Sequence, residues 1–395
     1  MEPVTHLLTG ACLSRTGLNR RAAYATLTMV VAAEFPDIDT LWSLRGPIEG
    51  FQHHRGVTHT FLGLPFEAAL IVAGVYAWHR WRVKRAGTHT GVRAKPLTVA
   101  PVRWGVLYGL ALVALLSHLL LDYTNNYGLR PFFPFNDRWY AASIVFIVDP
   151  LMLALLLGAL ILPWIFGLVS AEVGAKKQPF RGRGWAIAAL LGIVGWWGLR
   201  AVEHQRALQM AMTQSMVAPT PASATDTLQP PDVQQSQDAA QPPAADTAYV
   251  PTFLSARAAL ASPDLLNPFR WSAVMDFGTV YRLAEIDTYG GTLTTGETTY
   301  PKPDRSPAVL AAQQSKLGRV YMDWSPMPFV EVTKADSELA ADGGPSAAAT
   351  VVTFRDPRFL GGRMRETGRQ PLTGTVELDA ADHVVLETMD GHVEP

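Results

Sequence analysis

One cysteine, Cys12, stands in the 395 residues. A single thiol can build neither an intramolecular disulfide framework nor a cysteine-based zinc site, so any metal must be held by His, Asp or Glu. Charge is also scarce. Asp, Glu, Lys and Arg make up 17 % of the chain, against about 25 % in a typical soluble protein. The hydrophobic share is 48 % and the formal net charge is −1. Little charge with that apolar content points to membrane segments, and the near-neutral balance gives no electrostatic footprint for nucleic acid. The N-terminus lacks the charged start of a cleavable signal peptide and contains His6. No internal repeat is visible.

Four apolar runs approach or reach the length needed to cross a bilayer, about 20 residues. They cover roughly 60–79, 104–121, 143–169 and 185–202. A shorter run over 22–35 cannot span alone, and with "VTHLLTGACL" before it predicts a helical hairpin dipping into the protein. Lys and Arg concentrate in 80–103 (Arg80, Arg82, Lys84, Arg85, Arg93, Lys95, Arg103) and in 170–184 (Lys176, Lys177, Arg181, Arg183). Basic loops face the cytoplasm, so everything after about residue 203 is expected outside. Residues 213–249 are rich in Pro, Ala, Gln, Ser and Thr and hold almost no large apolar residue, which predicts a disordered linker. Beyond 250, "RWSAVMDFG", "TVYRLAEIDTY", "GRVYMDW", "FVEVTK", "ATVVTFRD" and the hairpin-like "TVELDAADHVVLE" read as short strands. The expected fold is therefore mainly α: a multi-pass helical membrane domain (1–205), a linker (206–249) and a small β-rich extramembrane domain (250–395).

Metal-type donors gather in five places: His6; Asp37 and Asp39 in "FPDIDT"; His53, His54 and His59 in "QHHRGVTHT"; His118 and Asp122 in "SHLLLD"; and Asp149 in "IVDP". Each has an ordinary reading taken singly: a packed histidine, a turn, an interfacial loop, a helix cap. The charge-derived orientation, however, brings Asp37 and Asp39, His59, His118 and Asp122, and Asp149 to the outer end of their segments. His118 and Asp122, four residues apart, share one helix face. Imidazole with carboxylate suits zinc, manganese or iron(II). Ionisable groups at membrane depth are costly and are functional by default. Arg55 is a candidate hand for a phosphate or carboxylate, and Asp39, Asp149 and Glu34 are candidates to orient ligands or move protons. Glu67, about two turns into the following helix, is a further acid/base candidate. His53 is expected to be a neighbour of the site, and His79, His89, His204, His383 and His392 fall outside it.

In this order "TH" (5–6), "PDID" (36–39), "HRGVTHT" (54–60) and "SHLLLDYTNNYGLRPFFPF" (117–135) resemble the LexA-binding, inner-membrane-associated hydrolase family, the YdjM type of membrane-bound metal-dependent hydrolases. The resemblance covers about the first 200 residues. It implies a multi-pass protein of the bacterial inner (cytoplasmic) membrane with a divalent metal site on His6, Asp37, His54, His59, His118 and Asp122. Many relatives carry His after "PDID", where this chain has Thr40. "NPFRW" (267–271) is similar to the C-terminal extension of longer members. A more distant likeness is to the zinc-dependent phospholipase C and nuclease group, which also uses a His-x-x-x-Asp pair. The counterparts of that group's additional His and Glu ligands are not evident, so one or two ions are expected, zinc first. The functional expectation is a hydrolase acting on a phosphoester or other bond of a membrane lipid or lipid-linked substrate at the outer interface. The alternative is a non-catalytic scaffold with a structural metal and an outer β domain that binds a protein partner. A transporter fits less well, because transport sites lie near the midplane.

Overall fold

The computed structural model describes residues 1–87, 100–172, 182–217, 253–334, 349–360 and 371–394. His89, Arg93, Lys95, Lys176, Lys177, Arg181 and linker residues 218–252 lie outside the described residues.

Seven helices form the N-terminal half: α1 (Pro3–Arg15), α2 (Ala25–Glu34), α3 (Pro47–His53), α4 (Leu64–Gly87), α5 (Trp104–Thr124), α6 (Pro150–Glu172) and α7 (Arg183–Met212). The expected hairpin is present as α1 and α2, which pack on each other and against α5. Small residues allow this. A Cβ on Gly10 would lie 2.7 Å from both Ala33 Cβ and the Met29 carbonyl, so the two backbones meet at glycine. Met29, Ala32, Leu107, Ala111 and Leu115 fill the core between α2 and α5. Leu116 and Leu120 on α5 and Leu191 and Val194 on α7 face outward although apolar, as a bilayer-facing surface requires.

Among the described residues two helices, α5 and α7, are long and apolar enough to cross a membrane. A third span results if Pro47–His59 and Leu64–Arg85, bent by 87°, act as one. The four expected runs therefore reduce to two or three. The run expected from 143 begins as a loop, because Asp149 caps α6 and Pro150 opens it: the Met152 amide donates to Asp149 Oδ1 at 3.0 Å. The basic ends meet at one end of the bundle. Tyr24 Oη lies 3.0 Å from His79 Nδ1, the Ala23 amide donates to the Pro101 carbonyl at 3.0 Å, and Arg15 donates to the Leu160 carbonyl at 3.0 Å.

The C-terminal half is β-rich. Strands β1 (Ser215–Val217) and β2 (Phe253–Ser255) pair with each other, β3 to β6 (258–263, 270–276, 280–287, 292–301) form an antiparallel meander, and β7 to β11 (329–334, 350–355, 374–378, 384–389, 392–393) form a five-stranded sheet in the order β11-β10-β9-β8-β7. The expected terminal hairpin is β9–β10. "GRVYMDW" is not a strand. It lies in α9 (Lys316–Trp324), which follows α8 (Pro307–Gln314). Ser315 caps α9 by accepting from the Gly318 amide at 3.0 Å. The buried residues Leu317, Tyr321 and Trp324 recur at helical spacing, which overrides the β-formers Val320 and Tyr321.

The boundary expected at 205 also moves. α7 continues to Met212, and its last turns put Ala207 and Ala211 into the core with Trp271 and Met275 of β4. The β-rich half packs on the helical half. Arg200 of α7, fully buried, donates to the Asp264 carbonyl at 2.8 Å and the Asn267 carbonyl at 3.3 Å, and pairs with Asp149 at 3.7 Å. On the other side, Trp324 of α9 packs edge-on against Phe51 of α3 at 5.2 Å.

Candidate metal centre

The segment after α2, Phe35–Arg45, is a 3-10 helix opened by Pro36. With three residues per turn, side chains two apart point 240° apart. Asp37 and Asp39 therefore diverge, and the ring of His59 fits between them. His59 Nε2 lies 3.4 Å from Asp37 Oδ1, and His59 Nδ1 lies 3.2 Å from Asp39 Oδ2. His59 ends a short 3-10 turn, Val57–His59. His118 and Asp122 project from one face of the last two turns of α5, as their spacing predicts.

The hydrogen bonds identify which ring nitrogens are free. His118 Nδ1 faces the Ala33 carbonyl at 2.7 Å, so Nδ1 carries the proton and Nε2 holds a lone pair. His59 Nδ1 faces the Asp39 carboxylate, and its Nε2, between Asp37 Oδ1 and Asp122 Oδ2, carries a proton when no ion is bound and can offer its lone pair to one that is. The two Nε2 atoms are 3.0 Å apart. A positive charge has to sit between them, either an extra proton on one ring or a cation.

Two carboxylate oxygens aim at the same point. Asp122 Oδ2 is 3.3 Å from His59 Nε2 and 3.5 Å from His118 Nε2, and Asp37 Oδ1 is 3.6 Å from His118 Nε2. Buried Asp122 Oδ2 accepts no hydrogen bond among the described residues. Bonds of about 2.0–2.1 Å in a tetrahedral zinc site put donor atoms about 3.3–3.4 Å apart. The observed separations bracket that value, so Asp37, His59, His118 and Asp122 fit a metal ion. A second set, Asp37, Asp39 and His54, also converges and shares Asp37. It is the weaker of the two, because Asp39 is already engaged. Its Oδ1 faces His54 Nδ1 at 3.1 Å, and its Oδ2 accepts from the Arg55 amide at 2.8 Å and Thr58 Oγ1 at 3.0 Å.

Electrostatics agrees with a cation-seeking pocket. Burial raises the Asp37 carboxyl, but the hydrogen bond from His59 and the nearby His118 outweigh it and bring it to about 2. Burial lowers His6 to about 3, with His118 adding to the effect, so its ring is neutral. Burial, with Asp37 and Glu2 adding to it, pushes Glu34 up to about 8.

Several candidates take other positions. His6 stacks on His118 with ring centroids 3.8 Å apart and its Nε2 lies 3.5 Å from Asp122 Oδ1, while neither ring nitrogen has a hydrogen bond among the described residues. It enters neither donor set. Arg55 is buried and both of its Nη atoms are engaged, while Nε has no hydrogen bond among the described residues: Nη2 donates to Asp122 Oδ1 at 2.9 Å, and Nη1 to the Gly128 carbonyl at 2.8 Å and Asn125 Oδ1 at 3.2 Å. The expectation that it grips substrate gives way to a role in holding Asp122. Asn125 Nδ2 also donates to Asp122 Oδ1 at 3.4 Å, so Oδ1 is engaged and Oδ2, without a hydrogen bond among the described residues, is the candidate ligand atom. Asp149 does not belong to the site. It caps α6, accepts from Trp196 Nε1 at 2.9 Å and pairs with Arg200. Its "DP" context reads equally as a helix cap, and burial against α7 decides the matter. His53 stacks on Trp42 at 4.2 Å outside the donor sets, as expected. Glu67 is buried, with Oε2 reaching no hydrogen bond among the described residues.

Sequence reasoning missed Asn125, Thr58 and the Ala33 carbonyl. Asn125 had a signal, since "YTNN" follows Asp122 directly. A backbone carbonyl has none.

A family model described as YdjM inner membrane protein matches residues 1–207. A protein of Bacillus subtilis (strain 168), YfhP, described as uncharacterized, is 24 % identical over 158 residues, which is 38 % of this chain and 42 % of the relative. The match thus spans about two fifths of that relative's length. No solved structure matches.

Proposed function

The chain belongs to the YdjM inner membrane protein family, and on that premise we propose that it is a multi-pass metal-dependent hydrolase. Its substrate is a lipid or lipid-linked molecule, cleaved at a phosphoester or related bond at the outer face of the membrane. The observation that carries this reading is the convergence of His59 Nε2, His118 Nε2, Asp122 Oδ2 and Asp37 Oδ1 on one point. When bound there, a divalent ion such as zinc lowers the pKa of a bound water to about 7 and polarises a phosphoryl oxygen. His59, His118, Asp122 and Asp37 would hold the ion, Asp37 being the least buried of the four. Asp39 orients His54 and His59, and Glu34, with its raised carboxyl, would be the group that holds or moves a proton beside them.

Depth supports a lipid substrate. His118 is six residues short of Thr124, the end of an apolar span, or about 9 Å along the axis. That level is reached by a molecule diffusing in the bilayer. The basic ends gathered at the opposite end of the bundle support an orientation with the metal centre and the β-rich half outside the cytoplasm.

One observation favours the second reading, a scaffold with a structural metal. His59, His118 and Asp122 are each 0 % exposed, and structural metal sites are closed. The experiment that separates the two is metal analysis of the purified protein followed by a turnover screen on phospholipids and lipid phosphates. A bound ion with no turnover by the wild type, across zinc- and manganese-loaded protein, supports the scaffold. Turnover lost in Asp122→Ala supports the hydrolase.

A further inference from the structure

Asp122 can offer Oδ2 to a metal only if Oδ1 is held elsewhere, and Arg55 does that holding at 2.9 Å. Arg55 is itself held by the loop after α5. Its Nη1 donates to the Gly128 carbonyl and to Asn125 Oδ1, and its guanidinium lies 4.7 Å over the Tyr127 ring. Arg55 has φ +56°, a left-handed conformation that a non-glycine residue adopts only when its surroundings enforce it. The position of Asp122 thus depends on where loop 125–128 lies.

That loop is fixed from the β-rich half. Trp324 Nε1 donates to the Tyr127 carbonyl at 3.2 Å, and the two rings meet at 4.9 Å. Arg358 Nη1 donates to the Asn126 carbonyl at 2.9 Å, while Asn126 Nδ2 donates back to the Arg358 carbonyl at 3.4 Å. Arg358 is pre-set for this contact. Asp356 grips it in a bidentate pair at 2.9 and 2.7 Å, Ser325 Oγ donates to Asp356 at 2.5 Å, and the guanidinium stacks 4.5 Å over Trp324. Asp356, Arg358 and Trp324 are all buried. A surface merely resting on the helical half would not need a buried, bidentate-paired arginine aimed at a single backbone carbonyl.

We propose that the C-terminal β-rich half is a working part of the metal centre: Trp324 and Arg358 are positioning residues that set loop 125–128, and through Arg55 they set Asp122 for metal binding. This rests on the metal reading above. Partners that orient ligands typically cost about 10–100-fold in metal affinity when removed. The contact therefore also couples the two halves: an ion at the centre tightens the seat of the β-rich half, and loosening that seat weakens the ion, by linkage.

The test uses the full-length protein titrated with Co²⁺, whose visible d–d bands report ligand geometry, and with Zn²⁺ in competition. Trp324→Phe keeps the ring and deletes the donor to Tyr127. Arg358→Lys keeps the charge and deletes the fork. Each is expected to weaken Co²⁺ binding about 10-fold and to change the d–d spectrum, with Trp324→His, which restores a ring N–H, recovering part of the loss. Ile286→Val, a core substitution in the other sheet, controls for general loosening and should leave affinity and spectrum unchanged. Wild-type affinity and spectrum in both Trp324→Phe and Arg358→Lys overturn the coupling while the metal reading stands. A wild-type protein that takes up neither ion overturns the metal reading and the coupling with it.

Discussion

The Nε2 atoms of His59 and His118 lie 3.0 Å apart, while the Nδ1 of each ring faces an oxygen on the far side. Two lone pairs at that distance repel, so a proton or a metal ion lies between them, and the metal reading predicts the ion. Purified protein is accordingly expected to carry about one equivalent of a divalent ion, and His118→Ala to carry less than a tenth of that. Elemental analysis after desalting decides the point. Full metal content in His118→Ala removes this centre.

Asp39 and Asp37 should behave differently although they are two residues apart. Asp37→Ala deletes a ligand, so metal retention should be lost. Asp39→Asn deletes none. It weakens the anchoring of His54 and His59, and should raise the metal dissociation constant about 10–100-fold while leaving the stoichiometry unchanged. Competitive titration against a chelator of known affinity measures both.

Asp149 should have no part in metal binding. Asp149→Asn leaves the buried guanidinium of Arg200 without its counter-charge, which costs on the order of 3–5 kcal/mol when a buried pair is broken. Thermal unfolding in detergent should fall while metal affinity stays within twofold of wild type. A large loss of affinity with unchanged stability would return Asp149 to the site.

Glu34 predicts a pH dependence of the metal-free protein. Its carboxyl titrates at about 8 when folded against an ordinary value of 4.5. Folding therefore favours the protonated form. The resulting stabilisation is complete below about pH 4.5 and is lost as pH rises through about 8. Between pH 5 and 8, Glu34→Gln should flatten the fall in unfolding temperature. A wild type and variant that track each other across that range would show that Glu34 stays ionised throughout. Bound metal should shrink the effect, since a nearby cation favours the carboxylate.

Much of the centre was legible in the chain before folding. His118 and Asp122 share a face because four residues make one helical turn. His59 and Asp37 could be brought to the same level by counting basic residues, because Lys and Arg concentrate in the connections at the opposite end of the helices. Arg55, His6 and Asp149 were not legible in the same way. The sequence holds their chemistry but not their neighbours: Arg55 pairs with Asp122, His6 stacks on His118, and Asp149 is taken by Arg200 and Trp196. "GRVYMDW" was misread as a strand for a related reason. A short apolar stretch satisfies both periods, and only the Ser315 cap and the buried face of α9 choose the helix.

What the sequence determined by itself is the inventory and its depth. With one cysteine, the donors had to be His and Asp, and apolar runs with basic loops put those donors at one level. What only the tertiary structure decided is which donor atoms are left free. A ligand is defined by an unused lone pair, and that depends on contacts far apart in the chain: the Ala33 carbonyl on His118, Asp39 on His59, Arg55 on Asp122, and Trp324 and Arg358 on the loop behind them. Packing between distant segments assigns those partners, and no local pattern encodes it.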